Sequence, residues 1–309
     1  MLNEVADGIF QMVLPLPYSL KSVNSYLIQG EKGFTVIDTG DTKESIYVWE
    51  KFLQSGAAIE KVVLTHTHPD HCGLAGWFQG KCNVPITVSN HSFEELNRMK
   101  HRYIEDSPLQ SILNQHSGPK LPKSIDIHSS PYDFIPSDFY EDGEKIKLGN
   151  SWFEAIWTPG HSRDQFCFYN RELQIMIVSD HVLAAVTPMI ELRGEEGENP
   201  LKDYFTSLDK MNIYPVKLAL TGHGQLITNL PTRIDDIKSR HQRRLGQILD
   251  ILTKESMSAA QIFEHMYENR NKGFLFEQFM AIITRLIYLE TIGQLIKEVH
   301  DGKIYYRAV

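Results

Sequence analysis

The chain has little of what marks several large classes of protein. Its 309 residues include three cysteines, Cys72, Cys82 and Cys167, with no paired spacing. That excludes a disulfide framework and points to a reducing compartment. No apolar stretch reaches the ~18–20 residues that span a bilayer, so no membrane partner is expected. The opening Met1-Leu2-Asn3-Glu4-Val5-Ala6-Asp7 lacks the basic region and apolar run of a secretory leader. Positive charge is not in excess: 31 Lys plus Arg stand against 39 Asp plus Glu, a formal net charge of −8. A chain that bound nucleic acid along its whole length would more often be basic. Internal repeats and low-complexity segments are absent as well. The expectation is a soluble cytoplasmic protein.

What is present is an ordinary globular composition, 42% hydrophobic and 23% charged, which excludes disordered and collagen-like classes. The length suits one large domain plus a small one, with a core that needs no staples. The unusual count is 13 His in an acidic chain, and the positions of those histidines carry the functional reading.

Short β-rich runs open the chain. Ser25–Gln29 and Phe34–Ile37 flank Gly30-Glu31-Lys32-Gly33, a hairpin turn. Thr42–Gly56 has helical spacing and ends in glycine. Val62-Val63-Leu64 reads as a buried strand, Val84–Ser89 as another, and His91–Tyr103 as a helix. Residues 106–139, rich in Pro and Ser, read as a long irregular excursion. Strands are expected at 152–157, 166–169, 173–178 and 216–220, with a loop at 186–200 and a helix at 201–211. From about residue 233 the texture turns helical: Ile234–Thr253, a helix capped by Ser258, and Phe274–Leu289. Asp301-Gly302 then marks a hairpin.

Several of the apolar runs end in ligand-type residues. Val62–Leu64 leads to His66, His68, Asp70 and His71. The runs at 152–157, 173–178 and 216–220 lead to His161, Asp180-His181 and His223. In extended backbone, residues two apart face the same side, so His66 and His68 can meet one ion. Asp70 and His71 fall on the following turn and point elsewhere, which suits a second ion. Packing a core strand does not require three His and one Asp within six residues; burying them is costly unless an ion satisfies them. Imidazole and carboxylate donors favour zinc, with iron or manganese as alternatives.

The run His66-x-His68-x-Asp70-His71, then Pro159-Gly160-His161, Asp180 and Gly222-His223-Gly224, preceded by Ile37-Asp38-Thr39-Gly40, resembles the motif series of the metallo-β-lactamase superfamily. The motifs occur in order between residues 38 and 224. The resemblance implies an α+β fold, an αββα sandwich with a dinuclear site on its edge. It implies that His66, His68 and His161 hold one metal, that Asp70, His71 and His223 hold the other, and that Asp180 bridges them. Asp38 would orient the ligand loops. With Asp180 where zinc β-lactamases commonly have Cys, the pattern looks more like the glyoxalase II branch. The residues from 233 resemble the winged-helix extension of one branch that includes endoribonuclease-like members. The expected domains are therefore a catalytic one over 1–232 and a winged-helix-like one over 233–309.

Two divalent ions sharing a water can supply hydroxide at neutral pH and polarise a substrate oxygen. A metal-bound hydroxide acting on a small ester, thioester or lactone is the leading reading, with Asp70 and Asp180 at the chemistry. The alternatives are a metal-dependent ribonuclease or phosphodiesterase of the same fold, and a winged-helix nucleic-acid-binding protein with a sensor domain. His181, Arg163 and Tyr18 are candidates for substrate contact, with the plainer roles of a pocket wall for His181 and a salt-bridge partner for Arg163 set against them. Arg240, Arg243 and Arg244 form a basic cluster, but Glu264, Glu268, Glu277, Glu290 and Glu298 dilute it, and 274–289 is mostly apolar with Arg285 its lone cation. Nucleic acid is accordingly a disfavoured partner. The tail is expected to pack on the catalytic domain, wall the pocket or form a homodimer.

Overall fold

A computed structural model describes residues 2–17, 20–100, 108–120, 130–190, 192–195, 197–253, 255–267 and 276–309. In one sheet, β1 (Leu2–Ala6), β2 (Ile9–Pro15), β3 (Ser22–Gln29), β4 (Phe34–Ile37), β5 (Ile59–Val63), β6 (Ile86–Ser89) and β7 (Asp138–Tyr140) lie side by side in chain order. A second sheet holds β8 (Lys145–Leu148), β9 (Ser151–Trp157), β10 (Phe166–Asn170), β11 (Ile175–Ser179) and β12 (Leu218–Thr221) in the order β12-β11-β10-β9-β8.

The layering follows from the two-residue period of the strands. Ile37, Val63, Phe166, Phe168, Ile175 and Ile177 form one buried cluster between the sheets. Their chain neighbours Val36 and Val62 face the other way, onto Trp49 of α1 (Lys43–Gln54) and Phe78 of α3 (Ala75–Cys82). On the second sheet Cys167, Met176 and Val178 face outward onto Leu201, Tyr204 and Leu208 of α6 (Pro200–Met211). Helices therefore cover both outer faces, as the αββα expectation requires. Both faces of the central strands are buried, which is why their sequences read as apolar runs rather than as alternation.

Strand direction brings the motif loops to one edge. β4, β5 and β6 are parallel. β11 and β12 are parallel, and β9 and β11 are both antiparallel to β10. The carboxyl ends of β4 and β5, and those of β9, β11 and β12, thus open onto the loops that carry Asp38, His66, His161, Asp180 and His223. Trp49, fully buried, donates its indole N–H to the Thr39 carbonyl at 2.8 Å and pins the loop after Asp38. Truncating a side chain of that size to alanine costs about 3–5 kcal/mol. Thr42 caps α1 by accepting from the Ser45 N–H.

Two expectations need correction. The 106–139 stretch is not wholly irregular: α5 (Pro108–Gln115) buries Leu109 and Leu113, four apart on one face. It is short and flanked by Pro and Ser, which hides its period. α4 (Asn90–Lys100) fulfils the expected 91–103 helix up to the end of the described stretch. The first tail helix, α7 (Leu230–Leu252), begins earlier than expected because the Asn229 side chain accepts from the Thr232 N–H and Pro231 fits its first turn. The 232/233 boundary therefore falls inside that turn.

Beyond α7 come α8 (Ala259–Tyr267), α9 (Phe276–Thr291), β13 (Leu295–His300) and β14 (Lys303–Ala308). Ser258 and Gln261 cap α8 reciprocally. Asp301 and Gly302 both have positive φ and close the β13–β14 hairpin. Leu245, Ile248, Phe279, Ile283 and Leu286 share one buried cluster with Tyr204 and Leu208 of α6, so the tail packs on the second sheet's helical layer. Among the described residues no helix is long and apolar enough to cross a membrane.

Candidate metal centre

β5 ends at Val63, the chain bends at Thr65, and it reaches His68 in extended backbone (φ −63°, ψ 142°). His66 and His68 consequently turn to the same side, His66 Nε2 lying 3.1 Å from His68 Nδ1. Pro69 then starts a single helical turn, α2 (Pro69–Cys72), in which the His71 and Cys72 N–H groups donate to the His68 carbonyl. The change from strand to helix puts Asp70 and His71 on the next turn, where the His71 ring packs 4.2 Å from that of His66 between centroids. From the second sheet, His161 brings its Nε2 to 3.0 Å from His68 Nδ1.

Two donor groups result, one of His66, His68 and His161 and one of Asp70, His71 and His223, each with ligand atoms within 4.8 Å of one another. Asp180 lies between them. Its Oδ2 is 3.6 Å from His161 Nε2 and 3.2 Å from His223 Nε2, and its Oδ1 is 3.4 Å from His71 Nε2. Asp70 Oδ2 is 3.3 Å from His223 Nε2. All seven residues singled out in the sequence converge.

The outward nitrogen is held in four of the five rings. His161 Nδ1 meets the Met189 carbonyl at 2.8 Å, His223 Nδ1 the Ser22 carbonyl at 2.6 Å, and His66 Nδ1 the Thr65 hydroxyl at 2.9 Å. His71 Nδ1 meets Asp38 Oδ2 at 2.8 Å. Asp38 also accepts from the Thr65 N–H, the Thr65 hydroxyl and the Ser179 hydroxyl. Although Asp38, His66 and His71 also lie within ligand distance of one another, the Asp38 oxygens are thus already engaged. Asp38 fits the orienting role, with Nε2 of His71 left to face the centre.

The two halves differ electrically. Burial pushes the His161 imidazole down to about 4, with the neighbouring His68 adding to it, and burial likewise holds His66 and His68 down. These rings present lone pairs. In the other half burial also acts against charge, but Asp180, Asp70 and Asp38 outweigh it and raise His71, while Asp180 and Asp70 lift His223 to about 9. Asp70 is held down to about 2 because His71 and His223 outweigh its burial.

These residues fit a cation. His71 Nε2, His223 Nε2 and Asp180 Oδ1 are buried without a hydrogen bond. The inward nitrogens of the first trio crowd around one point with no acceptor to serve all three. Gly222 completes the cradle: a Cβ there would collide with Asp180 Oδ1 and come within 2.9 Å of His71 Cε1. Close approach, more than a tight turn, is what this glycine provides.

The remaining candidates separate. Arg163 pairs with Glu195 at 2.6 Å, both half-exposed. His181 is fully buried against the Tyr204 ring, and neither ring nitrogen has a hydrogen bond. Tyr18 lies outside the described residues. Several supporting groups went unnoticed in the sequence. The Asn24 amide and the Tyr26 hydroxyl both donate to the Thr221 carbonyl and hold the loop that carries His223. The Tyr140 hydroxyl donates to the Leu64 carbonyl, just ahead of His66. An Asn or Tyr within a strand gives no local sign of such a bond.

Comparison with known proteins agrees with this geometry. Residues 19–225 match the metallo-β-lactamase superfamily model. The chain is 24% identical to a probable metallo-hydrolase of Bacillus subtilis over 98% of both chains. It is 26% identical to an atrochrysone carboxyl ACP thioesterase of Aspergillus fumigatus, covering 76% of this chain but 61% of that protein, less than two thirds of its length. The crystal structure of a metallo-β-lactamase family protein from Thermus thermophilus superposes with a TM-score of 0.84 at 25% identity, covering 99% of this chain and 100% of that one. The chain belongs to the metallo-β-lactamase superfamily and is a hydrolase of that fold.

Proposed function

We propose that the chain is a dinuclear metal-dependent hydrolase of a small ester, thioester or lactone, with zinc the expected metal and iron or manganese also suited to its donors. The observation that carries this reading is the Asp180 carboxylate, within 3.6 Å of ring nitrogens from both donor groups. The thioesterase among the relatives supports the thioester as the first substrate to try. Bound together, two such cations make a water nucleophilic at neutral pH and polarise the carbonyl under attack.

The chain's own residues do the rest. His66, His68 and His161 would hold one ion as neutral donors, Asp70, His71 and His223 would hold the other, and Asp180 stands within reach of both groups. Asp38, through His71 and Thr65, keeps the ligand loops from rotating. Asp70 and His68 are the partly exposed members, on the side from which substrate would enter. Asp70 would take part in the chemistry as a ligand, its Oδ2 facing His71 and His223, which keep the carboxylate ionised. The apolar α9 and its packing beside α6 favour a small-molecule substrate over nucleic acid. We read the tail as a winged-helix-like unit beginning near 233, able to support a homodimer. The free Cys72, Cys82 and Cys167 suit a cytoplasmic setting.

Metal content by mass spectrometry and thiol release from acyl thioesters, measured on Asp180→Ala and His68→Ala, test the reading. Both variants should lose metal and activity. Full retention of both in either variant overturns it.

A further inference from the structure

A second polar cluster lies away from the metal centre. α7, α9 and the 187–190 segment line an open cavity of about 810 Å³. Arg240, His241, Arg243 and Arg244 line it from α7, three and four residues apart on one helix face, and Arg285 lines it from α9. Among the described residues none of these four guanidiniums pairs with a carboxylate, and Glu277 is the acidic side chain on the wall. Their hydrogen bonds are few: Arg240 to the Ala185 carbonyl, Arg244 to the Gln247 side chain, and Arg285 to the Ala281 carbonyl. Arg285 Nε is buried with no partner. His241 is 3% exposed, and neither of its ring nitrogens has a hydrogen bond.

Four cations around one hollow repel each other, and the buried, unpartnered Nε of Arg285 adds to the cost. Burial pushes Arg285 down to about 10, and Arg244 adds to the push. An anion with several oxygens would relieve both costs, because the guanidinium fork matches phosphate in a bidentate way. The volume is that of a small-molecule pocket. Met189 ties the cavity to the metal centre, since it lines the first and its carbonyl holds His161 in the second.

We propose that this cavity binds the phosphate groups of a phosphorylated small molecule, the non-reacting end of a substrate whose acyl end reaches the metal centre past Met189. The phosphate site stands on its own observations; its link to catalysis rests on the function proposed above.

Calorimetric titration of the metal-loaded protein with ADP and with inorganic pyrophosphate tests the site. The variants are Arg243→Gln/Arg244→Gln, a pair at the protein surface, and Asp180→Ala at the metal centre. Both probes should bind, weaken about tenfold or more in the arginine pair, and bind Asp180→Ala as tightly as the parent. Pyrophosphate binding that matches ADP assigns recognition to phosphate alone; stronger ADP binding extends the site to the nucleoside, and either supports the proposal. Binding that is unchanged in the arginine pair, or abolished in Asp180→Ala, overturns it. So does a single-stranded RNA 20-mer that binds the parent more tightly than ADP. A second readout compares hydrolysis of an acyl-coenzyme A with that of the same acyl group on N-acetylcysteamine, which has no phosphate. The preference for the former should fall about tenfold in the arginine pair. If neither thioester is cleaved while the ADP result stands, the thioester reading fails and the phosphate site survives.

Discussion

The two polar clusters of this molecule have opposite signs. At the sheet edge, lone pairs and carboxylates converge with buried nitrogens that make no hydrogen bond. Between α7 and α9, guanidiniums converge with buried donors that nothing serves. Folding does not leave groups of this kind buried and unpaired at random, since each costs free energy. The sign of the unserved groups therefore points to the sign of what each site receives: a cation in the first, an anion in the second. Met189, which holds His161 through its carbonyl and also lines the cavity, joins them.

Four changes break or sharpen this contrast. The largest effect is expected from Asp180→Ala, which removes the carboxylate shared by both donor groups. Hydrolysis should fall about a thousandfold or more, with metal lost from both positions; mass spectrometry beside a thiol-release assay measures it. Asp38→Asn comes next. It keeps the shape but weakens the hold on His71 Nδ1, and metal affinity or activity should drop about 10- to 100-fold with the fold intact by circular dichroism. An unaltered metal affinity would show that Asp38 does not orient His71.

Gly222→Ala should cost about 1–3 kcal/mol in thermal unfolding, and more in metal binding than in stability, because the added methyl meets Asp180 and His71. The smallest effect concerns the other cluster. Burial and the adjacent Arg285 hold His241 at about 3, below its ordinary 6.5. The unfolded chain takes up a proton below pH 6.5 that the folded one refuses, so stability is full above that pH and declines from there toward about 3. His241→Leu should flatten that acid limb by at most about 1.4 kcal/mol per pH unit. A melting-temperature profile parallel to the parent's would show that His241 does not shape the acid limb.

Much of the centre was legible because its chemistry is local. His66-x-His68 needs only extended backbone to face one side, and Asp301-Gly302 needs only its two positive φ angles to turn. What supports the centre was not legible. The carbonyls of Met189 and Ser22 hold His161 and His223, and a carbonyl belongs to every residue type. Asn24 and Tyr26 reach Thr221 across nearly two hundred residues of chain. α5 hid in a Pro- and Ser-flanked stretch because two buried leucines are too few to declare a period.

The charges of the tail show the division most plainly. Along the chain, Glu277, Glu290 and Glu298 dilute Arg240, Arg243, Arg244 and Arg285. In the fold Glu298 pairs with Arg307, Glu290 lines a different cavity, and Glu277 alone of the three stays beside the arginines. The sequence by itself determined which side chains can hold a cation and in what order they come, because spacing along a strand sets which side a residue faces. Only the tertiary structure decided which charges share a cavity, because electrostatic energy depends on distance through space and not on separation along the chain.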